Sequence, residues 1–188
     1  MRILEGVDWK LKDAHEELII HLNFLSETLP IILTEPMMEL IDSGYYYMHG
    51  RDRSLRPIMI VSPKEILGLG LEPHDGIMAI HFVAQYVLNH KMYPGKIENV
   101  LTVIDLAHLS FTALPKKWIM IFIKNFNHNY YQINTMMINL NTTWSIRMLW
   151  KMFKSFIHPI VRNKTVFSKF NTCKKFSLIY IGSELEGT

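Results

Sequence analysis

Val100-Leu101-Thr102-Val103-Ile104 is a β-branched run that carries no charge until Asp105 closes it. A strand that meets water on one side alternates apolar and polar residues. A strand covered on both faces reads as a continuous apolar run, which is the mark of a parallel sheet. The flanking segments are helical in period. Asp75 is placed to cap a helix over Gly76 to Lys91, where Ile77, Ile80, Val83, Ala84, Val87 and Leu88 form one apolar stripe. Pro115 suits the first turn of a helix through Phe126. The run and its neighbours predict an α/β layer arrangement.

The other elements extend that order. Lys10 to Ser26 is an amphipathic helix, with Leu11, Ala14, Leu18, Ile19, Leu22 and Leu25 at three- and four-residue steps before Pro30. Pro36 to Ile41 forms a further helical turn. After Ser43-Gly44, Tyr45-Tyr46-Tyr47-Met48 and Ile58-Met59-Ile60-Val61 pair as a hairpin whose tip, Asp52 to Pro57, is charged and largely basic. Thr135 to Leu140, Thr165-Val166-Phe167 and Leu178-Ile179-Tyr180 are strands, and Trp144 to Ile157 is a helix. The expected fold is an α/β domain with a mixed, largely parallel sheet. At 188 residues the chain suits one domain with a small appendage. Its 49% hydrophobic and 20% charged content excludes disorder for the bulk of it.

Several chemistries find no support. The single cysteine, Cys173, allows no internal disulfide and no zinc-thiolate cluster, and it has no evident base beside it. A reducing, cytoplasmic setting is the expectation. Gly68-Leu69-Gly70 lacks the third glycine of a phosphate-binding loop, because Pro73 stands there. The nine histidines form no close ligand pair on a helix face, so no metal is expected. Asp105 ends a strand without a nucleophile motif to accompany it, and the chain is read as non-enzymatic.

Charge divides the chain sharply. Residues 1–105 hold 15 carboxylates and 9 Lys/Arg, whereas residues 106–183 hold 11 Lys/Arg and no carboxylate. The basic stretch cannot neutralise itself, so it faces either the acidic half or an anionic partner. Within it, Arg147, Lys151 and Lys154 make a narrow stripe on the Trp144 to Ile157 helix, and Trp, Phe, Met, Leu and Ile cover the rest. That is the composition of a core helix with three solvated cations, and equally of a helix that lies on an anionic bilayer. Nucleic acid is not the expected partner, because no recognition motif or aromatic platform accompanies the basic charge.

An ordered set of segments resembles the CRAL-TRIO lipid-binding domain, the fold of the phosphatidylinositol/phosphatidylcholine, tocopherol and retinaldehyde transfer proteins. Arg2-Ile3-Leu4, Trp9 and Lys12-Asp13-Ala14 look like the end of its amino-terminal helical segment. Gly44-Tyr45-Tyr46-Tyr47, Asp52 and Arg56-Pro57-Ile58 are similar to its aromatic hairpin. Val103-Ile104-Asp105-Leu106, Asn129-Tyr130-Tyr131, Ile138-Asn139, the stretch Phe153 to Pro159, and Tyr180 to Glu186 follow in family order. On this resemblance residues 1–30 are a partial amino-terminal segment and residues 31–188 the lipid-binding domain.

The resemblance implies a sheet flooring an apolar pocket, with the Trp144 to Ile157 helix as a mobile gate. It places Tyr47, Ser110, Thr112, Met148, Phe153 and Phe156 at the lipid, and Lys164 at a head-group phosphate. Trp144, Arg147, Trp150, Lys151 and Lys154 become the gate's membrane-docking residues. Val161 and Ile133 stand where the family's phosphoinositide site carries threonine and glutamate, so an uncharged lipid or phosphatidylcholine fits at least as well. The expected ligand is one hydrophobic lipid, with no other cofactor. The expected partner is an anionic membrane surface, approached by a monomer. A degenerate-pocket domain serving protein interaction or membrane targeting is the alternative.

Overall fold

The computed structural model describes residues 2–109, 120, 121, 123, 125, 129, 130 and 133–168. In chain order these form α1 (Arg2–Gly6), α2 (Leu11–Thr28), α3 (Glu35–Asp42), β1 (Tyr46–Arg51), β2 (Pro57–Val61), α4 (Pro63–Gly68) and α5 (Pro73–His90). Then follow β3 (Val100–Asp105), β4 (Asn134–Leu140), α6 (Trp144–Phe153), a 3-10 turn (Lys154–Phe156), α7 (Pro159–Asn163) and β5 (Thr165–Phe167). The sheet order is β1-β2-β3-β4-β5. β1 is antiparallel to β2 and every later pair is parallel, the mixed and largely parallel sheet the sequence predicts. The strand expected at Leu178-Ile179-Tyr180 and most of the helix expected from Pro115 lie outside the described residues.

Both faces of the central strands are covered, as the β3 run requires. Ile58 and Leu101 are fully buried on one face, in a cluster with Val103 and Ile138. Met59, one residue along from Ile58, is fully buried on the opposite face with Val100 and Val87 of α5. Strands stepping in one direction with right-handed crossovers put their connecting helices on the same face. The contacts agree: α6 reaches that α5 face through Ile146, which clusters with Leu106, Leu109 and Ile104.

The hairpin tip differs from expectation in what its cations do. Asp52 is buried, and its Oδ1 accepts from the backbone N–H of Ser54 and Arg56, each at 2.9 Å. Its Oδ2 accepts from Arg56 Nε at 2.7 Å and Nη2 at 2.6 Å. Arg56 Nη1 then donates to Thr135 Oγ1 on β4, at 2.9 Å. Arg51 donates to the carbonyls of Leu55 and Lys91 and lies over the Tyr93 ring. Arg51, at the end of β1, and Arg56, in the tip, are thus structural ties.

Two boundaries also shift. α5 begins at Pro73, two residues before Asp75, and its N-cap Glu72 makes no side-chain cap bond. Proline at the first turn pre-sets φ and surrenders an N–H that has no partner there, so it starts the helix without a cap. Asp75 sits within the first turn, where the helix dipole favours a carboxylate. Gly68-Leu69-Gly70 ends α4, a helix absent from the sequence reading, and Gly70 takes φ +61°, which glycine adopts without strain.

Candidate functional site

A cavity of about 80 Å³ lies between α5 and the sheet. Tyr46 and Val61 of the hairpin, Val100, Thr102 and Ile104 of β3, and Asn134 and Met137 of β4 form its floor. Ile80, Ala84 and Val87, on one stripe of α5, form its roof, and Tyr130 and Ile133 complete the wall. Strand alternation selects these side chains: residues two apart share a face, so Val100, Thr102 and Ile104 point together. Among the described residues none that lines it carries a formal charge. Burial raises the Tyr46 phenol far above its ordinary range and raises Tyr130 to about 12, so both rings are neutral at physiological pH.

Tyr130 is fixed from behind by an aromatic group. Gln85 Nε2 donates to its hydroxyl at 3.2 Å, the His81 ring lies 5.3 Å from its own, and Phe24 of α2 packs on His81 at 4.9 Å. His81 is 1% exposed. Burial lowers its imidazole from 6.5 to about 4, and a side-chain hydrogen bond with Asn125 opposes the shift. Between pH 6.5 and about 4 the unfolded chain therefore binds more protons than the folded one, so stability falls as pH drops through that window. Acidification from neutrality to pH 4 is expected to remove roughly 3 kcal/mol through this group. Urea midpoints of His81→Gln measured across that range should flatten; an unchanged slope would assign the loss to another residue.

α6 covers the same side of the sheet. Thr143 caps it, its Oγ1 accepting from Ile146 N–H at 3.3 Å. Ile146, Leu149 and Phe153 point inward, the last two clustering with Ile123. The outer face is also apolar: Trp144 is 76% exposed, Met152 50%, and Phe156 on the following turn 56%. Arg147, Lys151 and Lys154 are exposed among them. The ion pairs among the described residues, Arg56–Asp52 and Lys64–Glu65, both fall within the acidic half. Lys151 and Lys154 are thus not neutralised by carboxylates of residues 1–105.

The residues expected from the sequence separate into groups. Phe153 is buried under α6, whereas Met148 and Phe156 lie on its exposed side and do not line the cavity. Tyr47 is half-exposed; its neighbour Tyr46 faces the cavity instead, a one-residue step that reverses the face of a strand. Trp150 is half-buried against Phe167 of β5, ring centroids 5.1 Å apart, whereas Trp144 is exposed. Lys164 does not line the cavity: partial burial lowers its ammonium, opposed by the charge of Glu5 on α1. Ser110 and Thr112 lie outside the described residues. The sequence reading passed over Thr102 and Asn134, though Thr102 is a hydroxyl within a buried apolar run, and that exception was visible.

Three comparisons bear on this arrangement. The family model of the CRAL/TRIO domain matches residues 41–186. No curated protein matches the chain. Among solved structures, a crystal structure of Sfh5 superposes with a TM-score of 0.74 at 13% identity, covering 95% of this chain and 65% of that one. The chain thus spans under two thirds of that neighbour's length, and the likeness is one of fold.

Proposed function

Because the chain belongs to the CRAL/TRIO domain family, a family of lipid-binding and transfer proteins, we propose that it is a non-enzymatic carrier or sensor of a single hydrophobic lipid. It takes the lipid into the space between α5 and the sheet and exchanges it at an anionic membrane. The observation that supports this best is α6, apolar on the face it buries and on the face it exposes, with three cations beside the second that form no ion pair among the described residues. A helix of that make-up suits a closed state in water and an open state at a bilayer. Its ends suit movement: Asn141 before it takes φ +54°, and after Phe153 the helix tightens into a 3-10 turn that ends at Phe156, before Pro159 opens α7.

Energetics favour exchange at a membrane. An acyl chain of about sixteen carbons, at about 0.8 kcal/mol per CH₂, costs roughly 12 kcal/mol to expose to water. Release into solvent is correspondingly slow. Among the described residues no helix is long and apolar enough to cross a bilayer, so association would be peripheral. Each Lys near an anionic surface contributes about 1 kcal/mol, so Lys151→Gln with Lys154→Gln should weaken binding to phosphatidylserine-containing vesicles roughly thirtyfold. Co-sedimentation measures this, and equal binding would remove α6 from the docking surface.

The central test is organic extraction of the purified protein followed by mass spectrometry, with transfer assays between vesicles. Stoichiometric lipid and catalysed transfer are expected. A second reading, a closed domain serving interaction or targeting, is favoured by the cavity volume: about 80 Å³ against the roughly 300–1,000 Å³ of ligand pockets. It predicts neither bound lipid nor transfer, with membrane or protein binding retained.

A further inference from the structure

Among the described residues the cavity lining is apolar apart from two phenols and one polar pair. Thr102 is 6% exposed, and its Oγ1 donates to Asn134 Oδ1 at 2.5 Å. That bond uses the Asn134 carbonyl oxygen and the Thr102 hydroxyl proton; the Asn134 amide N–H₂ and the Thr102 oxygen lone pairs take no part in it, and both residues line the cavity. Hydrogen-bonding groups on an otherwise apolar wall favour a ligand that can match them. Position adds direction. Asn134 pairs with Val100, at the amino end of the parallel strands, whereas Ile104 at the other end of the cavity joins the cluster beneath α6. Four residues of strand, about 13 Å, separate the two ends.

We infer that Thr102 and Asn134 anchor the one uncharged polar group, a hydroxyl or carbonyl, of an otherwise hydrocarbon ligand. That group lies at the Val100 end and the tail runs along β3 toward α6. The inference rests on the carrier reading and narrows it. A phosphate head group is disfavoured at this end, because among the described residues no lysine, arginine or histidine lines the cavity to offset its desolvation. A hydroxyl or carbonyl needs only the hydrogen bonds that Asn134 and Thr102 supply.

The test uses the delipidated full chain loaded with a fluorescent pyrenyl hydrocarbon, displaced by 1-hexadecanol, 1-chlorohexadecane or hexadecylphosphocholine delivered from cyclodextrin. The alcohol should displace the probe at about tenfold lower concentration than the chloride. Asn134→Leu should erase that preference while leaving the chloride unchanged. Thr102→Ser, which keeps the hydroxyl, should preserve the preference and serves if Asn134→Leu does not fold. Equal displacement by alcohol and chloride in the native chain, or the phosphocholine displacing best, overturns the anchor while the carrier reading stands. Failure of the chain to take up the pyrenyl hydrocarbon at all overturns both.

Discussion

Asp52→Ala should lower the unfolding free energy by about 3–5 kcal/mol, the range found when one partner of a buried ion pair is removed. The carboxylate accepts from two backbone N–H groups and from two nitrogens of Arg56. Its loss leaves the turn amides of Ser54 and Arg56 without their acceptor and the guanidinium without its counter-charge. Arg56 would also lose its orientation toward Thr135, so the damage extends from the hairpin to β4. Chemical denaturation at neutral pH measures the change. A loss below about 1 kcal/mol, the usual worth of a surface pair, would mean that water replaces the carboxylate cheaply and that the tie is incidental.

Ala84→Phe should abolish most lipid loading while the domain remains folded. Ala84 faces the cavity from the middle of α5, between Ile80 and Val87. A ring grown from that position enters space otherwise open to a ligand. Denying a lipid even three methylenes of burial is worth about 2.4 kcal/mol, roughly a fiftyfold fall in occupancy. Native mass spectrometry of wild type and variant prepared together reads this directly, and circular dichroism controls for folding. Undiminished loading would place the lipid elsewhere than under α5.

How much of this was legible beforehand depends on the length scale of each signal. The α/β order was legible because periodicity is local. The β3 run announced a sheet covered on both sides, and Ile58, Met59 and Leu101 are fully buried as it demanded. The stripe on α5 was legible for the same reason: Ile80, Ala84 and Val87 do face one way. The site was less so. Tyr46 and Tyr47 are indistinguishable in sequence, and only pairing with Val61 and Ile60 decides which one turns inward. Arg56 was legible as part of a charged turn, but nothing local shows that Thr135, 79 residues on, will meet it. Thr102 and Asn134 lie 32 residues apart, and a bulge between Val100 and Leu101 sets which residues of β4 stand opposite β3.

β1, the outermost of the described strands on its side of the sheet, breaks its regular pairing between Met48 and Arg51, and Gly50 within the break takes φ +63°. An unbroken outer strand offers its free backbone groups as a template for another chain. The irregularity interrupts that template where β1 would otherwise run straight into Arg51. With Trp144, Met152 and Phe156 exposed on and beside α6, the protein already has one adhesive surface, and the kinked margin works against a second.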